Sequence, residues 1–130
     1  MTQRNKKVIW ITGGGTGIGK ELAMRFSKKN YNVVISGRRL SKLNEVKNYN
    51  NKNIFTIKLD VSNSKECQKA SKYILKKFGF LDIIILNAAA YNPGSLIKLN
   101  LDEIKKIVET NILGPINCFA PILEIMKKRK

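Results

Sequence analysis

The stretch Thr12-Gly13-Gly14-Gly15-Thr16-Gly17-Ile18-Gly19-Lys20 is the first place in the chain where residue type and spacing point to chemistry. Glycines let a chain turn sharply and bring bare backbone against phosphate oxygens, and a helix that follows offers its unpaired N–H groups and positive dipole end to the anion. A strand-like run precedes this loop and an amphipathic segment follows it, which favours phosphate binding over a merely flexible turn. Gly14 to Lys20 matches the GxxxxGK of a P-loop, but the next residue is Glu21. A carboxylate there cannot replace the Ser/Thr hydroxyl that ligates Mg²⁺. The GxGxxG spacing also fails, since Gly13 and Gly15 fit but the last position is Ile18. The pattern that fits is Thr-Gly-x-x-x-Gly-x-Gly, carried by Thr12, Gly13, Gly17 and Gly19.

The elements that must position this loop are legible as an alternation. Val8–Thr12, Val33–Ser36, Ile54–Leu59 and Ile83–Leu86 are short β-branched runs. Three of them are almost continuously apolar, as expected of strands buried on both faces of a parallel sheet. Helix-length segments lie between them. Ile18, Leu22 and Phe26 mark an apolar stripe on the first, and Cys67, Ala70, Ser71, Ile74, Leu75 and Phe78 mark the third. A further helix is expected to start at Asn100, with Asp102 and Glu103 in its first turn. It carries Ile104, Ile107, Val108, Ile112 and Leu113 on one side, and Pro115 and Pro121 should kink or divide it. The expectation is a single α/β domain over residues 1–130, doubly wound and Rossmann-like, with strand order 3-2-1-4.

Composition narrows the chemistry. The 130 residues include no histidine, which excludes Ser-His-Asp triads and histidine-based zinc sites, and no metal site is expected. Cys67 and Cys118 are too few for a disulfide scaffold and lack CxxC spacing. No apolar run approaches the roughly 20 residues that span a bilayer, and the start of the chain does not read as a signal peptide. A soluble, cytoplasmic protein is expected, without membrane partners. The formal net charge is +16, which raises the question of nucleic acid. Lys65, Lys69, Lys72 and Lys76, however, have the spacing of one solvated helix face, and Lys127-Lys128-Arg129-Lys130 form a short tail. No RNA-binding aromatic motif or zinc finger accompanies the charge, so no nucleic-acid partner is expected.

The Thr-Gly-x-x-x-Gly-x-Gly loop resembles that of the short-chain dehydrogenase/reductase family, in its compact branch, and three further motifs follow in the family's order. Asp60-Val61 resembles the Asp-Val/Leu pair beside the adenine of the cofactor. Asp82 to Ala89 resembles the strand that ends in Asn-Asn-Ala-Gly, with Leu86 in place of the first Asn and Ala89 in place of the Gly. Thr110-Asn111-Ile112-Leu113-Gly114 is similar to the Asn-x-x-Gly of the long helix. The resemblance implies a nicotinamide cofactor, with Gly13, Gly15, Thr16, Gly17, Ile18 and Gly19 at the pyrophosphate loop. It places Asp60 and Val61 at the adenine and Asn87 with Ala88 at the ribose. Asn111 would be the catalytic asparagine that helps hold a water in a proton relay. NAD-preferring relatives carry an acidic residue after the second strand, where this chain has Gly37 followed by Arg38 and Arg39. Arg38 or Arg39 can pair with a 2′-phosphate, so NADP (NADPH) is expected over NAD.

The family's chemistry also needs a Ser, and a Tyr followed four residues later by Lys, beyond the helix that carries Asn111. Tyr73 and Lys77 show that spacing but fall on the Lys-rich helix before Asn87 and are read as a decoy. The expectation is therefore the cofactor-binding half of an NADP-dependent oxidoreductase acting on a small carbonyl or alcohol substrate. It would be inactive alone, homo-oligomeric when complete, and left with Ile83–Leu86 as an open sheet edge. Asn92, Pro93 and Ser95 could border the substrate. A non-enzymatic module that binds NADP or a partner is the alternative, and a basic nucleic-acid-binding protein is the third reading.

Overall fold

Alternating apolar runs and helix-length segments build a four-stranded parallel sheet in the order β3-β2-β1-β4. The computed structural model describes residues 6–92, 94 and 97–128; Pro93 and Ser95, and Arg129 and Lys130 of the basic tail, lie outside the described residues. The elements are β1 (Val8–Thr12), α1 (Gly17–Lys28), β2 (Asn32–Gly37), α2 (Leu40–Tyr49), β3 (Ile54–Lys58), α3 (Ser64–Phe78) and β4 (Ile83–Ile85). There follow α4 (Leu101–Val108), a π-helical turn (Glu109–Leu113) and α5 (Gly114–Lys127). Compared with the sequence expectation, β2 gains Asn32 and Gly37, while β3 and β4 each end one residue earlier.

The sheet carries helices on both faces, so β1 is buried along its whole length. Its side chains alternate between two cores. Ile9 and Ile11 join Val33, Ile35, Ala23, Leu43 and Val46 on one side, and Val8 and Trp10 join Val34, Cys67, Ile74, Cys118 and Ile122 on the other. Each such large side chain contributes about 1.5–3 kcal/mol when fully buried. The apolar run of β4 is not buried on both faces as expected. All three of its residues are half-buried, because the strand terminates the sheet and has a neighbour only in β1. Asp82 fixes the start of this pairing, its carboxylate accepting the Val8 N–H at 2.7 Å.

The helices show where periodicity reads correctly and where it does not. On α3, Asn63 caps the first turn by accepting the Glu66 N–H, and Gly79 ends the helix in the left-handed region. Cys67, Ala70, Ser71 and Ile74 are its buried stripe, as expected, and the lysines opposite are exposed. On α1 the buried stripe is Gly19, Ala23 and Ser27, and Ile18 of the anticipated stripe is 73% exposed. Small residues let this helix lie close against the sheet, and the larger ones flank the contact.

Asn100 caps α4 through the N–H groups of Asp102 and Glu103, as its position predicts. The apolar side of α4 and the π turn is nevertheless exposed, with Ile104, Val108, Ile112 and Leu113 all solvent-facing; no described element covers it. The helix changes register just before Pro115. Lacking an N–H, a proline cannot complete an ordinary helical bond to the carbonyl four residues back, and the wider π turn absorbs the mismatch. Pro121, by contrast, sits inside α5 without dividing it.

Candidate functional site

The site grows from the turn after β1. Gly13 has φ +67°, and a Cβ there would come within 2.9 Å of Ala88 Cα. The turn is held to the second strand by the Gly14 N–H donating to the Ser36 carbonyl at 3.1 Å. Helix α1 then starts at Gly17, with Thr16 as its N-cap. Thr16 makes no side-chain capping bond and the first turn holds no acidic residue, so its N-terminal donors face the turn uncapped by a side chain. Glu21 points away from this role. Its Oε1 accepts from Arg25 at 2.8 Å on the exposed surface, and that bond holds its carboxyl below the usual range.

Thr12 joins β1 to the end of β4. Its hydroxyl oxygen accepts the Asn87 N–H at 3.0 Å and the Ala88 N–H at 3.1 Å, and it donates to the Ile85 carbonyl at 3.4 Å. The Asn87 side chain returns the link by donating to the Gly13 carbonyl at 3.2 Å. Thr12→Val keeps the shape but leaves both amides without their acceptor. The expected loss is about 2 kcal/mol, or roughly 5–10 °C in Tm, with Thr12→Ser close to wild type in thermal melts. A valine variant that melts with the wild type would show that this junction contributes nothing.

The opposite wall comes from the ends of β2 and β3. Gly37-Arg38-Arg39 follows β2, and Arg39 is the N-cap of α2. After β3, Asp60 Oδ1 accepts from both the N–H and the hydroxyl of Ser62, while the Asp60 N–H donates to Glu66 at 2.8 Å. The Val61 carbonyl accepts from Asn117 Nδ2 at 2.9 Å. Between the walls lies a cleft of about 150 Å³, which brings together Gly13, Gly15, Thr16, Arg38, Arg39, Asp60, Val61 and Ala88. Of the remaining sequence candidates, Gly17 and Ile18 are exposed at the start of α1 and Gly19 is buried behind the turn. Asn87 is engaged with Gly13. Asn111 sits on the π turn beside Thr110, which does line the cleft. Its carboxamide is spent at both ends on Ala90, accepting from the N–H at 2.7 Å and donating to the carbonyl at 2.8 Å.

The sequence model of a family described as short chain dehydrogenase matches residues 7–130. The chain belongs to the short-chain dehydrogenase family. Dehydrogenase/reductase SDR family member 7 of Mus musculus is 32% identical to it over 130 residues, an alignment that covers 95% of this chain and 38% of the relative. A short chain dehydrogenase structure from Bacillus anthracis superposes with a TM-score of 0.89 at 34% identity, covering 95% of this chain and 52% of that one. The structure of ElxO with NADP bound gives 0.86 at 34% identity, with coverage of 95% and 52%. The chain thus spans between 38% and 52% of the length of these relatives.

In this short-chain dehydrogenase chain the Tyr73 and Lys77 pair does not line the cleft. Lys77 Nζ lies 5.0 Å from the Phe55 ring centre and 5.9 Å from that of Phe78, a cation–π seat on the flank of the sheet. Asn92 also lies apart from the glycine turn, donating to Glu103 at 3.3 Å. Sequence reasoning missed Lys42 and Thr110 as cleft residues. Lys42 was within reach, since it lies three positions beyond Arg39 and one helical turn returns it to the same side. Thr110 adjoins the recognised Asn111, and it comes to the cleft because the chain there lies beside the 59–61 segment after β3.

Proposed function

We propose that this part of the chain holds NADP(H), and that the protein it belongs to is an oxidoreductase passing hydride between the nicotinamide and a carbonyl or alcohol carbon. The observation that carries the reading is the pairing, in one cleft, of a glycine cradle with two arginines and a lysine. The cradle is fitted to a close backbone approach, because a Cβ at Gly13 would strike Ala88 and one at Gly19 would strike the Gly13 carbonyl. The basic side of the cleft supplies Arg38, Arg39 and Lys42, and no carboxylate stands at Gly37. These residue types suit a dinucleotide with an extra phosphate, and the NADP held by ElxO supports the same choice.

Each residue then has a task of its own. Gly13, Gly15 and Thr16, with the start of α1 at Gly17, Ile18 and Gly19, receive the pyrophosphate on backbone N–H groups. Arg38, assisted by Arg39, takes the 2′-phosphate through charge-assisted hydrogen bonds. Asp60 and Val61 close on the adenine, while Asn87 and Ala88 border the ribose. When bound, the cofactor supplies or accepts the hydride. Asn111 contributes its main-chain carbonyl, because its side chain is committed to Ala90 and Pro115, four residues on, has no N–H to offer that carbonyl. A carbonyl so relieved can hold the water of a proton relay.

Calorimetric titration with NADPH and NADH tests the assignment. NADPH is expected to bind at least about tenfold more tightly, the worth of one charge-assisted contact. Equal affinities would overturn the NADP assignment, and no binding of either would overturn the cofactor reading.

A further inference from the structure

Two cysteines 51 positions apart meet in the core. Cys118 Sγ on α5 lies 3.6 Å from Cys67 Sγ on α3, both side chains are fully buried, and neither is disulfide-bonded. The meeting follows from topology: α3 and α5 cover the same face of the sheet, and both cysteines belong to the core around Trp10 and Val34. Among the described residues no third metal-binding side chain joins them. The pair also reaches the cleft, since Cys67 Sγ lies 3.5 Å from the carbonyl of Val61. That carbonyl is the one held by Asn117 of α5.

We propose that Cys67 and Cys118 are a two-electron redox site, at which a hydroperoxide converts the thiol pair into a disulfide joining α3 to α5. Cys67 is the residue that reacts first. The S–H of Cys118 points at its sulfur and pulls the Cys67 thiol below its ordinary value, whereas that same bond and burial push the Cys118 thiol up. The Cys67 thiolate attacks a peroxide oxygen, the O–O bond breaks, and the departing oxygen takes up a proton to leave as an alcohol or water. The Cys118 sulfur then attacks the Cys67 sulfenic sulfur. The S–O bond breaks, and the hydroxyl leaves as water with the Cys118 proton. Two thiols and one hydroperoxide thus give one disulfide, one alcohol (water, if the oxidant is hydrogen peroxide) and one water. The sulfurs must close from 3.6 Å to about 2.0 Å. Access comes from local opening of α5, which is preceded by a helix and a π turn with no buried side chain.

Oxidation removes the Cys67 S–H from the Val61 carbonyl and draws two helices together behind the Asp60-Val61 loop. If that loop serves the cofactor as proposed above, affinity must change with redox state. The protein is treated with hydrogen peroxide under native conditions, capped with N-ethylmaleimide, and digested with trypsin without reductant. The expected product joins the peptides Glu66–Lys69 and Ile107–Lys127 at a mass two hydrogens below their sum, and dithiothreitol separates them. In Cys118→Ala, dimedone should instead label Cys67. Recovery of both cysteines singly capped, singly overoxidised, or linked only between molecules would overturn the proposal. NADPH titration supplies the second reading, with an affinity about fivefold weaker after oxidation, equivalent to one lost hydrogen bond, and restored by dithiothreitol. Unchanged affinity in a cross-linked protein would overturn the coupling to the cleft. Failure of the reduced protein to bind NADPH at all would instead count against the cofactor reading and leave the peptide result standing.

Discussion

Gly19→Ala is expected to be strongly destabilising, lowering Tm by roughly 10 °C or more, although alanine is the better helix former by about 1 kcal/mol. The added methyl would collide with the Gly13 carbonyl oxygen and sit 2.7 Å from Asn87 Nδ2. The first of these is backbone inside a tight turn and cannot swing aside. Relief requires α1 to move off the turn, which also breaks the Asn87 bond to Gly13 and loosens the junction with β4. Overpacking of a fixed site costs about 3 kcal/mol, a large share of the 5–15 kcal/mol that holds an ordinary domain together. Gly17→Ala is the internal control. A Cβ there meets nothing within 4 Å, but φ is +55°, so about 1 kcal/mol of backbone strain is expected. Thermal melts should order the proteins as wild type, Gly17→Ala, then Gly19→Ala by a wide margin. A Gly19 variant that melts within a few degrees of wild type would mean that the helix does not lie where the structure puts it.

Arg38→Ala should lower the affinity for NADPH by roughly 10- to 100-fold, the worth of a charge-assisted contact of about 1.5–3 kcal/mol. NADH affinity should stay within about threefold, because Arg38 is assigned only to the 2′-phosphate. Added salt should weaken NADPH binding to the wild type more than to the variant. The reciprocal change is Gly37→Asp. A Cβ at Gly37 makes only ordinary contact, 3.5 Å from Leu43 Cδ2, so a carboxylate can be installed without disturbing α2. It should repel the 2′-phosphate and turn preference toward NADH. Equal losses for both nucleotides in Arg38→Ala would place that arginine elsewhere than at the 2′-phosphate.

Much of this was legible before any coordinates. Val8–Thr12 could be read to its ends because it is a short apolar run stopped by glycine, and the order of the strands followed from four such runs separated by helix-length segments. Asn100, followed by Asp102 and Glu103, is a local signal, and its cap on α4 was legible from the sequence. Asn63 and Gly79 at the two ends of α3 carry the same kind of signal and were passed over. Periodicity failed on α1 because it assumes that the large apolar residue faces inward. Close packing demands small residues there instead, Gly19 against the glycine turn and Ala23 and Ser27 further along the helix. It also overstated the helix after Asn100, whose apolar side lies exposed, since a pattern shows which face seeks cover but not whether a neighbour provides it. The contact of Cys67 with Cys118 was out of reach for a different reason. It depends on two helices far apart in the chain choosing the same face of the sheet. The commitment of the Asn111 carboxamide to Ala90 was hidden likewise, as a long-range bond between a loop and a helix.

Trp10 is the chain's single tryptophan, fully buried on β1, with its indole N–H donating to the Ser36 hydroxyl at 3.0 Å. The carbonyl of that same Ser36 receives the Gly14 N–H of the glycine turn. Tryptophan emission from these 130 residues therefore originates on the strand that leads into the glycine turn, at an indole joined to that turn through Ser36. The fold carries its own optical gauge, wired by two hydrogen bonds to the glycine turn.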